Sequence, residues 1–220
     1  VVFAHLAIMV ITWYGQSCFK IQSGDTVLFT DPFDKEIGLT PPRSQADVVT
    51  VSHNHYDHNN REALSGEPLI VEGPGEYEIK GVEVRGIFSF HDDKEGKERG
   101  ANTIYVIEME GIKIGHLGDL GQSKLTAEQV EQIDGVDILM VPVGGTNTID
   151  GETAVDIINQ IEPRLVIPMH YKIPGLSLKA DGVDVFLKEM GIAKKETVDK
   201  LTIKKKDLPE EDMEVVVMHI

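Results

Sequence analysis

The apolar, β-branched run Val48-Val49-Thr50-Val51 empties directly into Ser52-His53-Asn54-His55-Tyr56-Asp57-His58. No other stretch so narrows what this chain can fold into. The first four residues read as a buried strand. The next segment sets four metal-capable side chains within six positions, His53 to His58. A cluster at the point where a strand leaves its sheet is the usual location of a site in an α/β protein. His53 and His55 are two apart, close enough to reach one ion from a tight turn, while Asp57 and His58 can face a second. Imidazole and carboxylate at this density suit zinc or a similar divalent cation.

Four further strand-like runs end the same way. Thr26 to Thr30 leads into Asp31-Pro32, and Gly86 to Phe90 into His91. Ile112 to Gly115 leads into His116-Leu117-Gly118-Asp119, and Val166 to Met169 into His170. With the HxHxDH pattern of His53 to His58, these elements in this order resemble the metallo-β-lactamase superfamily over roughly Ile11 to Tyr171. The likeness is to its small metal-dependent hydrolases, a branch that includes sugar-phosphate lactonases.

The resemblance implies an α/β (α+β) fold, a four-layer αββα sandwich with helices outside two packed sheets. It also implies two divalent metal ions, zinc first, with manganese or iron as alternatives. His53, His55 and His91 would carry one ion, Asp57, His58 and His170 the other, and Asp119 would bridge them. Asp31 is expected behind this set, orienting a ligating imidazole. The implied chemistry is attack by metal hydroxide on a small-molecule ester, lactone or phosphoester, with Asp57 also exchanging a proton. Near relatives often carry Gly-His-Ser where this chain has Gly15-Gln16-Ser17. That departure motivates an alternative, a catalytically weak metal-containing protein that binds or senses a ligand. His116 is expected to pack or hydrogen-bond locally, and His5 and His219 to be structural or solvent-facing.

Length and charge bound the rest. A chain of 220 residues with 41% hydrophobic content suits one domain over 1–220, residues 1–8 being a possible N-terminal extension. The net charge of −16 disfavours nucleic acid and acidic membranes, which need a basic footprint. A small-molecule substrate is the expected partner, with a homo-oligomer possible. Lys194 to Lys206 is rich in lysine, but interspersed acids make it read as a solvated surface. Cys18 is the single cysteine, which excludes an intramolecular disulfide and fits a cytoplasmic setting. The apolar Val1 to Ile11 is too short to span a bilayer and reads as an extra strand or an extension; no transmembrane segment is expected.

Periodicity predicts further strands over Ile11–Tyr14, Ser17–Gln22, Tyr77–Ile79, Val82–Phe90, Thr103–Met109, Ile138–Val143, Arg164–Pro168 and Val215–Met218. Helices are predicted from a Thr126 cap with Gln129 in the reciprocal position, over Thr153–Ile161, and over Val183–Met190 closed by Gly191. The charged segment His91 to Asn102 shows no periodicity and is a candidate substrate loop or a plain solvent-exposed connection.

Overall fold

Residues 8–220 are described by the computed structural model of the protein. The expectation for His5, and for the extension as far as residue 7, lies outside the described residues. Three strands open the fold, β1 (Met9–Gly15), β2 (Cys18–Ser23) and β3 (Thr26–Thr30), followed by β4 (Val48–Val51) and β5 (Leu69–Glu72). Then come β6 (Gly75–Ile79), β7 (Val82–Phe90), β8 (Ala101–Met109), β9 (Ile112–His116) and α1 (Ala127–Ile133). The chain continues through β10 (Ile138–Pro142), α2 (Gly151–Ile161), β11 (Leu165–Met169) and α3 (Val183–Glu189). It closes with β12 (Thr197–Val198), β13 (Lys200–Ile203), β14 (Glu214–Val215) and β15 (Val217–Met218).

These strands build one sheet in the order β13-β1-β2-β3-β4-β5 and another in the order β14-β11-β10-β9-β8-β7-β6, with β12 and β15 paired apart. Side-chain alternation assigns each face of the first sheet its partner. Leu28 and Val48 join the core shared with Ile104 and Ile107 of β8. Their chain neighbours Phe29 and Val49 point the other way, into a second cluster with Phe33, Ile37, Leu39 and Leu64. Each such side chain buried in full contributes about 1.5–3 kcal/mol relative to exposure.

The α/β sandwich expected from the resemblance is therefore present, with one difference in its outer layers. α1 packs on β7 and α2 on β10, so the helices cover the second sheet. Over the first sheet the outer layer is made of loop residues and two single 3-10 turns, Lys35–Ile37 and Arg61–Ala63. Pro32, Pro41 and Pro42 with Gly38 stop the connection after β3 from continuing as an α-helix. Among the described residues, no helix is long and apolar enough to cross a membrane.

Three strands went unpredicted, the two-residue β12 among them. β5 holds only Leu69 to Glu72 at a sheet edge. β13 lies inside the lysine-rich stretch, where Leu201 and Ile203 turn inward, Lys200 and Thr202 turn out, and the strand pairs antiparallel with β1. The predicted strand Val215–Met218 divides, β14 pairing with β11 and β15 with β12. α1 starts as predicted, with Thr126 and Gln129 completing a reciprocal cap.

Strand direction gathers one edge. β3 runs parallel to β4, and β9 runs parallel to β10, which runs parallel to β11. The ends that release Asp31, Ser52, Leu117 and His170 thus lie at the C-terminal edges of both sheets. The tight β1–β2 turn returns the chain to that same edge through Gln16 and Ser17.

Candidate metal centre

Every predicted ligand is delivered from that edge. His53, His55, Asp57 and His58 follow β4, His91 follows β7, Asp119 follows β9 and His170 follows β11. The side chains assemble into two groups, His53 with His55 and His91, and Asp57 with His58, Asp119 and His170. Within each group one ligand-type atom per residue lies within 4.8 Å of the others.

Asp119 stands between the groups. Its Oδ2 is 3.1 Å from His58 Nε2, 3.4 Å from His170 Nε2, 3.5 Å from His91 Nε2 and 3.9 Å from His53 Nε2. One carboxylate oxygen therefore faces imidazoles of both groups. The turn that presents it is tightly built. Gly118 has φ +55°, and a Cβ there would lie 2.5 Å from Asn102 Oδ1 and 2.6 Å from Ser52 Cβ. Asn102 Oδ1 in turn accepts the Asp119 N–H at 3.0 Å, while its Nδ2 donates to Leu117 O at 3.0 Å.

Asp31 lies behind the groups, fully buried, as a support for two histidines. It accepts His58 Nδ1–H at 3.0 Å, the Ser52 N–H at 2.8 Å and the Ser52 hydroxyl at 2.6 Å. The same Ser52 oxygen lies 2.9 Å from His53 Nδ1 and can accept its hydrogen. Asp31 thus orients His58 directly and His53 through Ser52, one imidazole from each group. Both Nε2 atoms are left facing the interior, with no ordinary hydrogen-bond partner among the described residues. Sequence reasoning anticipated Asp31 but missed Ser52 and Asn102. The position of Ser52 between the buried strand and His53 was the available signal.

Backbone strain concentrates here too. Gln16, Asp31 and His170 have φ of 50°, 38° and 54°, in the left-handed region that non-glycine residues avoid. Each follows a strand end and is buried, whereas Glu67, Lys80, Glu95, Glu110 and Glu162 at positive φ are polar turn or cap residues. Such strain costs on the order of 1–3 kcal/mol per residue and persists where packing enforces it.

The electrostatics call for cations. Burial raises the Asp119 carboxyl, but His170 and His58 outweigh it and hold the group well below the usual carboxylate range. Burial likewise opposes ionisation of Asp31 and Asp57, yet hydrogen bonds and charge from His58 bring both down, Asp57 to about 2. Burial lowers His58, while the charge of Asp119 and the close carboxylates of Asp31 and Asp57 raise it well above the usual imidazole value. Burial and the neighbouring His58 push His53 down to about 3, and burial also lowers His91. Three buried carboxylates held in the ionised range thus face this cluster. A buried anionic surplus is costly unless a counter-charge accompanies it. Together with the orphaned Nε2 atoms of His53 and His58, this donor set fits divalent cations.

His116 stands apart from both groups, as expected. Its Nε2–H donates to Ser17 O at 2.8 Å and its Nδ1 accepts the Gly118 N–H at 3.3 Å, so it braces the Asp119 turn. His219 is at the surface, paired with Asp199 at 3.0 Å. The segment after His91 is an ordered turn around Asp92, whose carboxylate accepts the N–H groups of Lys94, Gly96, Glu98 and Arg99. Exposure is uneven across the centre, with His55 and the 53% exposed Tyr56 at the solvent side and Asp57, His58, Asp119 and His170 buried.

A family model described as the β-lactamase superfamily domain matches residues 10–170. A metal-dependent hydrolase of Thermoplasma acidophilum is 31% identical over 187 residues, covering 73% of this chain and 82% of its own. A metal-dependent hydrolase of Thermoplasma volcanium is 29% identical over 188 residues, with 73% and 82% covered. A crystal structure from Thermotoga maritima, named as a candidate zinc-dependent hydrolase of the metallo-β-lactamase superfamily, superposes with a TM-score of 0.79. That protein is 39% identical, and the match covers 96% of this chain and 98% of the other.

Proposed function

We propose, from the premise that the chain belongs to the β-lactamase superfamily, that it is a metal-dependent hydrolase cleaving an ester, lactone or phosphoester of a small molecule. The observation that carries the reading is the convergence of four imidazole nitrogens on Asp119 Oδ2 between two ligand groups. His53, His55 and His91 would hold one divalent ion, and Asp57, His58 and His170 a second, with Asp119 shared. Ions bound there supply Lewis acidity and lower the pKa of water toward neutrality; zinc suits these donors, with manganese and iron as alternatives.

The chain's own residues do the rest. Asp31 and Ser52 set the ring orientations of His58 and His53. Asp57, 8% exposed and with Oδ2 3.5 Å from His58 Nε2, would take up and return a proton during turnover. Substrate would approach past His55 and Tyr56, the exposed side of the centre. The net charge of −16 repels polyanions, which favours a small substrate over nucleic acid. A lone buried cysteine suits a reducing compartment, and the cytoplasm is the proposed one.

A panel of esters, lactones and phosphoesters tests the reading, using protein loaded with zinc or manganese, chelated protein, and a His55→Ala variant. Turnover confined to the loaded native protein is expected. Metal-loaded protein that turns over no member of the panel, yet binds small metabolites tightly, would instead make it a ligand-binding relative.

A further inference from the structure

Gln16 is fully buried in the β1–β2 turn, and its backbone is pinned. Its carbonyl accepts Trp13 Nε1–H at 2.9 Å and the His170 N–H at 3.1 Å, with φ at +50°. Its carboxamide Nε2 lies 3.0 Å from His170 Nε2. That is the ring nitrogen facing Asp119 Oδ2 at 3.4 Å, the one available to the four-residue group. A carboxamide N–H donating there occupies the lone pair that a cation would need. With the amide turned over, Nε2–H would donate to the Gln16 carbonyl, and the nitrogen is again engaged.

The rest of the carboxamide and ring are unsupported. Gln16 Oε1 is buried without a partner, and so is His170 Nδ1. His58 has Asp31 behind its ring and His53 has Ser52, but among the described residues no such group lies behind His170. Gln16 is therefore the hydrogen-bond partner of the His170 ring, on the nitrogen that also faces Asp119 Oδ2. Among the described residues, no side-chain amide makes such a contact with His53, His55 or His91.

We propose that Gln16 is a positioning residue that competes with metal for His170, so that the group Asp57, His58, Asp119 and His170 fills after the three-histidine group and more weakly. The inference rests on both groups taking divalent ions. Breaking one net neutral hydrogen bond weakens the second ion by about 2- to 10-fold.

Metal-free full-length protein titrated with zinc by calorimetry, and with cobalt by its visible absorbance, tests this. Two variants accompany the native chain. Gln16→Asn keeps a carboxamide and tolerates positive φ, but is one methylene shorter; Gln16→Leu removes the amide at similar volume. The native chain should bind in two unequal steps. In both variants the second step should tighten by about 2- to 10-fold while the first stays unchanged. Damage to the fold would weaken binding, the opposite sign. A second step unchanged or weaker in both variants, beside an intact first step, overturns the role of Gln16 and leaves the metal centre standing. Absence of a second step in all three proteins overturns the two-ion reading beneath it.

Discussion

Replacing Asp31 by Asn should weaken metal binding without removing any ligand. The carboxylate accepts from the Ser52 N–H, the Ser52 hydroxyl and His58 Nδ1–H. Asparagine keeps one acceptor, which the Ser52 N–H can retain, but sets an NH₂ group against His58 Nδ1–H. Donor then meets donor, so the metal-binding form of the ring, with its hydrogen on Nδ1 and its lone pair on Nε2, loses the acceptor that holds it. A hydrogen bond to a charged acceptor contributes about 1.5–3 kcal/mol, which corresponds to roughly 10- to 150-fold in affinity. Groups behind metal ligands are typically worth about 10- to 100-fold. Zinc titration in competition with a chromophoric chelator reads the change. The second equivalent should weaken by about 10- to 100-fold, and the first by less, because Ser52 can still contact His53. An Asn variant that binds both equivalents with native affinity would refute the reasoning.

Two further outcomes follow from the same contacts. His58 sits well above the usual imidazole value, so it is protonated near neutrality in metal-free protein, and an ion entering its group must displace that proton. Affinity for that ion should rise with pH below neutrality, with protons released on binding; calorimetry in buffers of differing protonation enthalpy measures the release, and zero release contradicts it. Tyr105→Phe should destabilise the fold by about 1–3 kcal/mol in urea denaturation while leaving metal stoichiometry unchanged, because the hydroxyl donates to Val51 O at 2.7 Å and accepts the Gly73 N–H at 3.0 Å. Native stability in that variant would show these buried groups re-paired at no cost.

The centre was legible in the sequence to the extent that its residues follow apolar runs. β3, β4 and β7 have the predicted bounds, and the ligand candidates follow strand ends. What stayed hidden depends on pairing across distance. Ser52 meets Asp31 because β3 and β4 run parallel with Thr30 beside Thr50, a register that no local pattern encodes. His116 braces the Asp119 turn through Ser17, 99 residues away. β13 was masked by its lysines, since an edge strand needs only Leu201 and Ile203 turned inward. α2 begins at Gly151, two residues before the predicted start, because Asp150 caps it through the Thr153 N–H. The His91–Asn102 segment lacks periodicity for a different reason, its backbone donors being gathered by a single carboxylate, Asp92.

Elemental analysis of protein purified without added metal, beside an Asp119→Ala variant, tests the central claim most directly. The proposed site, with two ligand groups meeting at Asp119 Oδ2, predicts about two equivalents of a divalent metal. It predicts a reduced content in the variant, where both groups lose their shared oxygen. Metal near zero in the native chain, not restored by zinc or manganese, would contradict the account.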